Sequence, residues 1–340
     1  MSYPKGVYWQ ELRGMALDAI PSETRYSLNS PLPLSKWYLQ GAYSLDSATK
    51  NSYSLTVSSE ELGCALISDA EFYLDHAVEH QVSISSNILS DYWHSPAWML
   101  VTFYYWCYFS ATAITRMIGE TVWFHTGDVR EHFKNLLPTG NVCPGSGSFR
   151  VKCGKISSVT HRELHLYQMS GRPHEDLWKL FFQTCDALHL RHGEKNSSLE
   201  ARLFAVITRS CRVWGHNWPI ELRNAVNYRP GVGYDFVRKT GTIGGFGFIN
   251  KGGYSIEEAV SEFEIAVSSA VRKDILQDGR SLFRMLVLLS VLLSYWSVEL
   301  HGEIIDRNGL DSRWRHIRRN FIRENGIKVR GSSYWPMVVN

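Results

Sequence analysis

The sequence has no CxxC pair, and its six cysteines are widely spread over 340 residues. Zinc ribbons and redox motifs need paired cysteines, so neither class of site is indicated. Cys107, Cys185 and Cys211 fall inside apolar helical stretches, where a free thiol is an ordinary small core residue. The chain also opens without the charged and apolar segments of a secretory signal. These absences predict free thiols and a cytoplasmic location.

The chain has little net charge, and the sequence motifs of several enzyme classes are missing. A formal charge of +3 gives no overall basic field, so any signal for nucleic acid must be local. No GxSxG, Rossmann or Walker motif occurs, which leaves esterase chemistry, hydride transfer and ATP hydrolysis without support. The glycine-rich stretch 239–253 lacks a P-loop lysine and is interpreted as a loop. We therefore predict no cofactor.

No hydrophobic run reaches the length of a membrane span. The most apolar segment is 281–300, but Arg284 interrupts it early and Glu299 interrupts it late. About 14 uncharged residues remain between them, fewer than the ~20 that a span needs. The segment is therefore predicted to be a central buried helix, and no membrane partner is expected.

Thirteen histidines are candidate metal ligands, but none belongs to a strong pattern. His161 and His165 are spaced i, i+4, and so are His76 and His80, which suits one face of a helix. Neither pair is part of an HExxH motif, and no third ligand has an evident position. Solvated histidines on a helix face explain both pairs, so no metal site is predicted.

Aromatic residues are abundant, with 12 Trp, 17 Tyr and 15 Phe. They indicate aromatic packing or a large protein interface.

The strongest helix begins after Pro96, is apolar on both faces and can end at Gly119, so it should be buried nearly all round. Apolar periodicity predicts further helices at 8–20, 60–80, 176–192, 199–213, 219–228 and 255–276. Strands are predicted at 53–57, 149–152 and 155–159, the last two as a hairpin in a turn-rich insertion.

Polar side chains concentrate at 214–228, between two apolar helical stretches. Three of them share one face of the predicted helix: Glu221, Asn224 and Tyr228. Arg223 and Asn227 form an i, i+4 pair on an adjacent face. Two interpretations stay open, a capped helix with a satisfied polar network and a surface that binds a ligand.

A second local concentration of charge lies in the C-terminal tail. Its arginines include Arg313, Arg315, Arg318, Arg319 and Arg323. With Trp314 and Phe321 between them, they could neutralise phosphates along one helix face. The alternative is a solvated amphipathic helix that docks through its apolar residues.

Two stretches resemble HEPN-type domains. Residues 101–119, with adjacent tyrosines, then small residues and a terminal glycine, resemble the opening helix of that superfamily. Residues 221–228 resemble its signature, an arginine followed by a polar residue and, four to six positions later, a histidine. YaaC-like proteins are the nearest branch in size. The resemblance covers roughly 95–300.

The resemblance implies an all-α bundle, usually dimeric, with arginines in a cleft. Catalytic members are metal-independent endoribonucleases of toxin and antiviral defence systems. Arg223 matches the arginine that binds the scissile phosphate, and Asn224 matches the polar residue after it. The motif histidine is absent, and Tyr228, a residue type that is a weak base at neutral pH, stands near its position. His216 could supply the acid or base from the preceding loop.

The sequence thus predicts a mainly α fold, a HEPN-like helical bundle with a small β-rich insertion and an N-terminal elaboration. The predicted parts are an N-terminal mixed segment (1–92), the bundle (93–306, with the insertion at about 120–165) and the basic tail (307–340). The predicted function is RNA cleavage or binding in a prokaryotic defence or toxin system, through Arg223, Asn224, Asn227, Tyr228 and His216. One alternative is a non-catalytic HEPN-like subunit or scaffold that assembles with partner proteins or nucleic acid in a multi-protein complex. Another is nucleic-acid binding by the tail. The expected partners are RNA or another nucleic acid, and a second copy of the chain or co-encoded proteins.

Overall fold

The computed structural model of the chain describes residues 6–24, 31–89, 95–137, 142–156, 158, 160–192, 198–229, 256–269, 279–308 and 320. Within these ranges it contains ten helices and one sheet. The helices are α1 (Val7–Ala19), α2 (Leu34–Gln40), α3 (Ser59–Leu89), α4 (Pro96–Met117), α5 (Gly127–Leu136), α6 (Pro173–His192), α7 (Leu199–Trp214), α8 (Trp218–Tyr228), α9 (Ile256–Ser269) and α10 (Gly279–Asn308). The strands are β1 (Tyr43–Ala48), β2 (Ser52–Ser58), β3 (Glu120–His125), β4 (Gly147–Ile156) and β5 (His161–Gln168).

The predicted fold class is wrong, although helices predominate. Instead of a HEPN-like bundle with a small β-rich insertion and an N-terminal elaboration, one antiparallel sheet of order β1-β2-β5-β4-β3 unites both additions. β1 and β2 come from the supposed elaboration, and β3, β4 and β5 come from the supposed insertion. β2 pairs with β5 along its whole length, from Ser52 opposite Tyr167 to Ser58 opposite His161. Local sequence patterns cannot reveal a pairing between segments so far apart. The prediction therefore assigned the strands of one sheet to two separate additions.

Buried and exposed side chains alternate along β2 and β5, two paired inner strands of the sheet. In β2, Tyr53, Leu55 and Val57 are buried, and in β5 alternate residues are buried as well. Because successive side chains in a strand point to opposite faces, one face of the sheet packs on the helices. The strands predicted at 53–57 and 149–152 are confirmed. The predicted hairpin of 149–152 with 155–159 is wrong, because residues 155 and 156 continue β4, whose antiparallel partner is β5. The i, i+4 pair at His161 and His165 belongs to a strand and not to a helix.

Helix α4 is the central element of the helical layer, as its sequence predicts. Nearly all of its residues are buried, and it packs against α3, α8 and α10. It ends just before Gly119, whose φ of +70° lies in the left-handed region that favours glycine. A Cβ at Gly119 would lie 2.6 Å from the Cβ of Ala19, so the turn into β3 leaves no room for a side chain.

Helix α10 is the central buried helix predicted from the apolar segment. Its portion Leu282–Asn308 is long and apolar enough to cross a membrane by length and composition. However, 83% of its most apolar stretch is buried inside the protein, which is consistent with a soluble protein.

Helices α6, α7 and α8 follow one another as predicted and bring the polar stretch 214–228 beside α4. The side-chain hydroxyl of Ser198 caps α7 by accepting a hydrogen bond from the Ala201 N–H at 3.2 Å. Asn217 occupies the N-cap position of α8, but its side chain makes no capping hydrogen bond. Because α8 packs on both α4 and α6, side chains of these three helices meet around Arg223.

Candidate functional site

A cavity of about 760 Å³ lies between the N-terminal turn of α6 and one side of α8. Its lining residues are Arg172, Pro173, His174, Ile220, Glu221, Arg223, Asn224, Ala225, Tyr228 and Arg229. Four polar residues of α8 therefore border a cavity rather than pointing into the core: Glu221, Arg223, Asn224 and Tyr228.

The guanidinium of Arg223 is fixed by its neighbours at the cavity wall. Its Nη2 donates to the Tyr105 hydroxyl at 2.7 Å, and its Nη1 donates to Asn224 Oδ1 at 2.9 Å. Its Cζ lies 5.9 Å from the ring centroid of Tyr104 and 5.6 Å from that of Tyr105, within cation–π range. The Nε is buried and has no hydrogen-bond partner among the described residues. Arg223 therefore presents an oriented cation whose donors are only partly used.

The cavity carries an excess of positive charge. Three arginines (Arg172, Arg223 and Arg229) line it against one carboxylate, that of Glu221. Within the described ranges none of the three makes an ion pair with a carboxylate. Pro173 begins α6, so the positive end of that helix dipole faces the same region. An anion that entered the cavity would therefore meet a net positive charge.

His174 is a neutral imidazole at the cavity wall. Burial, and then the charge of Arg223, lowers the pKa of His174 to about 4. Its Nδ1 lies 2.8 Å from the Tyr104 hydroxyl, which accepts a hydrogen bond from Trp178 Nε1 at 3.4 Å. Because Nδ1 is the only acceptor that the described residues offer to this hydroxyl, we assign the hydroxyl hydrogen to Nδ1, which leaves the His174 proton on Nε2. At neutral pH the side chain is then a hydrogen-bond donor, and its acceptor nitrogen is occupied.

An aromatic stack holds the His174 ring in place. The ring lies parallel to Tyr108, with centroids 4.1 Å apart and an interplanar angle of 7°. Tyr104, one turn earlier on α4, lies nearly parallel to the same imidazole, with centroids 6.0 Å apart and an interplanar angle of 12°. The tyrosines of α4 thus position both the imidazole of His174 and the guanidinium of Arg223.

Three of the four predicted catalytic residues meet at the cavity: Arg223, Asn224 and Tyr228. Tyr228 is 71% exposed, so its ring is accessible from solvent. His216 is not a lining residue: it is exposed in the turn before α8, with its ring 6.4 Å from that of Phe182. Asn227 is exposed on α8 and does not line the cavity either.

The other basic candidates lie outside the described residues. They are Arg313, Arg315, Arg318, Arg319 and Arg323 of the tail. The glycine-rich stretch 239–253 lies outside them too. Nucleic-acid binding by the tail therefore stays a prediction.

Sequence reasoning missed four residues that shape the site. Arg172 and His174 precede the α8 motif by about fifty residues, and Tyr105 precedes Arg223 by 118. Arg229 directly follows the stretch that was singled out, so an extension by one residue would have included it. The other three carry no local signal, because only the packing of α6 and α8 on α4 brings them together.

The described part of the chain contains no group of three or more His, Cys, Asp or Glu residues that could bind a metal ion. No family model, no curated protein and no solved structure matches the chain. The function is therefore inferred from the cavity and its chemistry.

Proposed function

We propose that the cavity binds phosphate groups of RNA. The observation that carries this proposal is the convergence of Arg172, Arg223 and Arg229 without a carboxylate partner among the described residues. Guanidinium groups donate two parallel hydrogen bonds to phosphate oxygens, and these charge-assisted bonds are stronger than neutral ones. Unpaired cations that share one cavity repel each other, and a bound phosphate would relieve that repulsion.

The fixed geometry of Arg223 supports binding. The Tyr105 hydroxyl and Asn224 already orient its guanidinium, so little side-chain entropy remains to be lost when a ligand binds. The N-terminus of α6 adds a positive dipole at the same wall. Together these features favour an anion at a defined position.

A nucleotide chain fits the cavity better than a free inorganic anion does. The volume of about 760 Å³ lies within the usual range for organic ligands. The exposed ring of Tyr228 provides a surface on which a base can stack, and the Asn224 amide can form hydrogen bonds with base edges. These groups would be unused by phosphate alone.

We propose binding without cleavage as the first function. The predicted metal-independent endoribonuclease needs a group that takes and returns a proton near Arg223. The one histidine that lines the cavity is kept neutral, and Tyr104 occupies its acceptor nitrogen. Cleavage would therefore need another group, and the binding experiment below also detects it.

The biological setting remains part of the proposal. From the sequence we predict a prokaryotic defence or toxin system in the cytoplasm and a homodimer or a complex with co-encoded proteins. The HEPN-like motif at 221–228 stays a hypothesis in the same way. None of these is required for phosphate binding by the cavity.

The test is a titration of a fluorescein-labelled 12-nucleotide single-stranded RNA with the purified full chain in EDTA. We expect Arg172→Ala and Arg223→Ala each to weaken binding by about 10- to 150-fold, the value of one charge-assisted hydrogen-bonding group. Each variant should also reduce the steepness of the salt dependence by about one phosphate contact. Arg212→Ala is the matched control, since Arg212 is exposed and paired with Asp186.

Unchanged affinity in both cavity variants would refute the proposal. Denaturing gels of the same samples report cleavage. Discrete fragments from the wild type that are absent with Arg223→Ala would establish an endoribonuclease centred on this cavity.

A further inference from the structure

A row of aromatic and imidazole rings continues from the cavity along the contact between α3 and α4. We call it the ring stripe, and it consists of Phe72, His76, His80, Phe109 and Tyr105. The centroid of Phe72 lies 4.4 Å from that of His76, which lies 5.2 Å from that of Phe109. His80 lies 5.5 Å from Phe109 and 5.6 Å from Tyr105. The stripe ends at the cavity, because the Tyr105 hydroxyl accepts the hydrogen bond from Arg223.

The stripe rings are partly exposed, although Tyr105 and Phe109 also pack against the core. Phe72 is 55% exposed, the His76 side chain is 35% exposed, and the other three are half-buried. Burial is the largest cause that lowers the pKa of His80, so its imidazole is held where a charged form is disfavoured. An aliphatic side chain in place of His80 would bury a similar area without the free-energy cost of removing a polar ring from water. Helix packing alone therefore does not explain a histidine at this position.

We propose that bases of single-stranded RNA stack on the ring stripe while a phosphate of the same strand occupies the arginine cavity. This inference rests on the proposed function and adds the substrate class. Base–aromatic stacking contributes about 1–3 kcal/mol per base and tolerates any sequence, because every base has a π-face. The stripe therefore selects an unpaired strand rather than a particular sequence.

The dimensions of the stripe fit a short run of bases. Phe72, His76 and His80 are spaced i, i+4, i+8 on α3, about 12 Å along the axis at 1.5 Å per residue. Because Phe72 meets His76 edge to face, the bases do not form one continuous stack, and this length provides for about three bases, one to each ring. Tyr105 lies at the cavity end, where it contacts Arg223, and the exposed ring of Tyr228 borders the cavity.

The charges along the stripe separate bases from phosphates. Glu79 is exposed and lies 3.1 Å from His76, so a carboxylate lies beside the middle of the stripe. A phosphate backbone is disfavoured there, whereas the arginine cavity attracts it. A duplex presents its phosphates outward and hides the faces of its bases, so it cannot occupy the stripe and the cavity together.

The test uses labelled oligoadenylate RNAs of two and six nucleotides, and an abasic hexamer with the same number of phosphates. The wild type should bind the six-nucleotide RNA more tightly than the abasic hexamer. Phe72→Ala should weaken binding of the six-nucleotide RNA by about fivefold or more, corresponding to one lost stack, and should leave the dinucleotide unaffected. Phe124→Ala is the matched control, because Phe124 is a 50% exposed aromatic on β3 outside the stripe.

The dinucleotide separates this inference from the proposed function. If Arg223→Ala weakens dinucleotide binding but Phe72→Ala leaves the six-nucleotide affinity unchanged, the cavity function stands and the stripe proposal is overturned. Equal affinity for the abasic hexamer, or for a blunt RNA duplex, would also overturn it. So would unchanged affinity in Phe72→Ala together with a smaller particle mass in light scattering, which would identify the stripe as a protein–protein interface. If the dinucleotide binds equally to wild type and Arg223→Ala, the proposed function itself fails.

Discussion

Arg116 and Arg223 both lie against tyrosines of the α3–α4 pair, yet their surroundings differ in one respect. Arg116 is 2% exposed, and its Nε donates to Asp69 Oδ2 at 3.0 Å. It also donates to the Val122 carbonyl at 2.9 Å, and its Cζ lies 5.6 Å from the Tyr73 ring. Arg223 also contacts a tyrosine ring and donates to the Tyr105 hydroxyl, but it has no carboxylate partner among the described residues.

The difference indicates how a guanidinium is used in this fold. Around Arg116 the charge is neutralised, and its hydrogen bonds connect α4 to α3 and to the strand β3. Around Arg223 the orientation is fixed but the charge is not neutralised, so it remains able to attract an anion. A buried, paired arginine therefore indicates a structural role here, and an oriented, unpaired one at a cavity indicates binding.

The largest expected effect tests the structural side of this comparison. Arg116→Met leaves Asp69 buried without its counter-charge, so the free energy of unfolding should fall by about 3–5 kcal/mol. Urea titration followed by circular dichroism measures this change. Arg223→Met should lower the same quantity by less than about 1.5 kcal/mol, because no buried carboxylate loses its partner. Equal losses in the two variants would remove the distinction.

A smaller effect is expected from the hydroxyl that orients Arg223. Tyr105→Phe keeps the ring under the guanidinium and removes only the acceptor of the Nη2 hydrogen bond. We expect RNA affinity to fall about 2- to 12-fold, the value of one ordinary hydrogen bond, with nearly unchanged stability. Tyr43→Phe is the control, because its hydroxyl donates to the Tyr38 carbonyl away from the cavity. An affinity equal to wild type would show that the orientation of Arg223 does not limit binding.

The charge of Arg223 should also be measurable through its neighbour. Burial and Arg223 together lower the pKa of His174 to about 4. Arg223→Gln should raise that pKa, but not to the ordinary value of 6.5, because burial is the larger cause and remains. An NMR titration of the imidazole protons measures the shift. The pKa of His125, lowered to about 4 by burial and then by Arg130, should not move.

The same pKa predicts how acid affects stability. Since the folded value lies below the ordinary one, the unfolded chain binds the proton more tightly. The contribution of neutral His174 to folding is therefore complete above about pH 6.5 and is lost as the pH falls towards 4. Unfolding titrations at pH 7 and pH 5 should show this decrease, and His174→Asn should reduce it.

The smallest effect is expected for an arginine of a third kind. Arg212 pairs with Asp186 at 3.2 Å, and both side chains are well exposed, at 64% and 40%. Exposed ion pairs contribute about 0–1 kcal/mol and are screened by salt. Arg212→Met should change stability by less than about 0.5 kcal/mol and leave RNA affinity unchanged. A large loss in either measurement would mean that pairing with a carboxylate does not classify these arginines.

The sequence predicts the helices of this protein better than its sheet. The apolar faces of α4 and α10 recur at helical spacing, so their existence and burial follow from local pattern. β1 and β3 were not predicted, and β5 was confused with a helical histidine pair, because its hydrogen-bond partners are remote. That error divided one sheet into two additions and led to the wrong fold class.

The candidate site could be predicted only where it is local. Arg223, Asn224 and Tyr228 lie within six residues of one another, and helical spacing brings them to one region of α8. Arg172, His174 and Tyr105 join them through the packing of α6 and α8 on α4, which no spacing rule gives. His216 was chosen because it is near in sequence, and it lies outside the cavity.

The pairing of β2 with β5 also constrains the order of events during biosynthesis. Ser54 and its partner His165 are 111 residues apart. At a synthesis rate of about 5–20 residues per second, β5 is made roughly 5 to 20 s after the β1–β2 hairpin. Until then the edge of β2 that pairs with β5 has no partner strand. During that interval β2 has an unpaired edge beside a ribosome and its messenger RNA, so a nascent chain of this protein depends on the helices made in between to shield it.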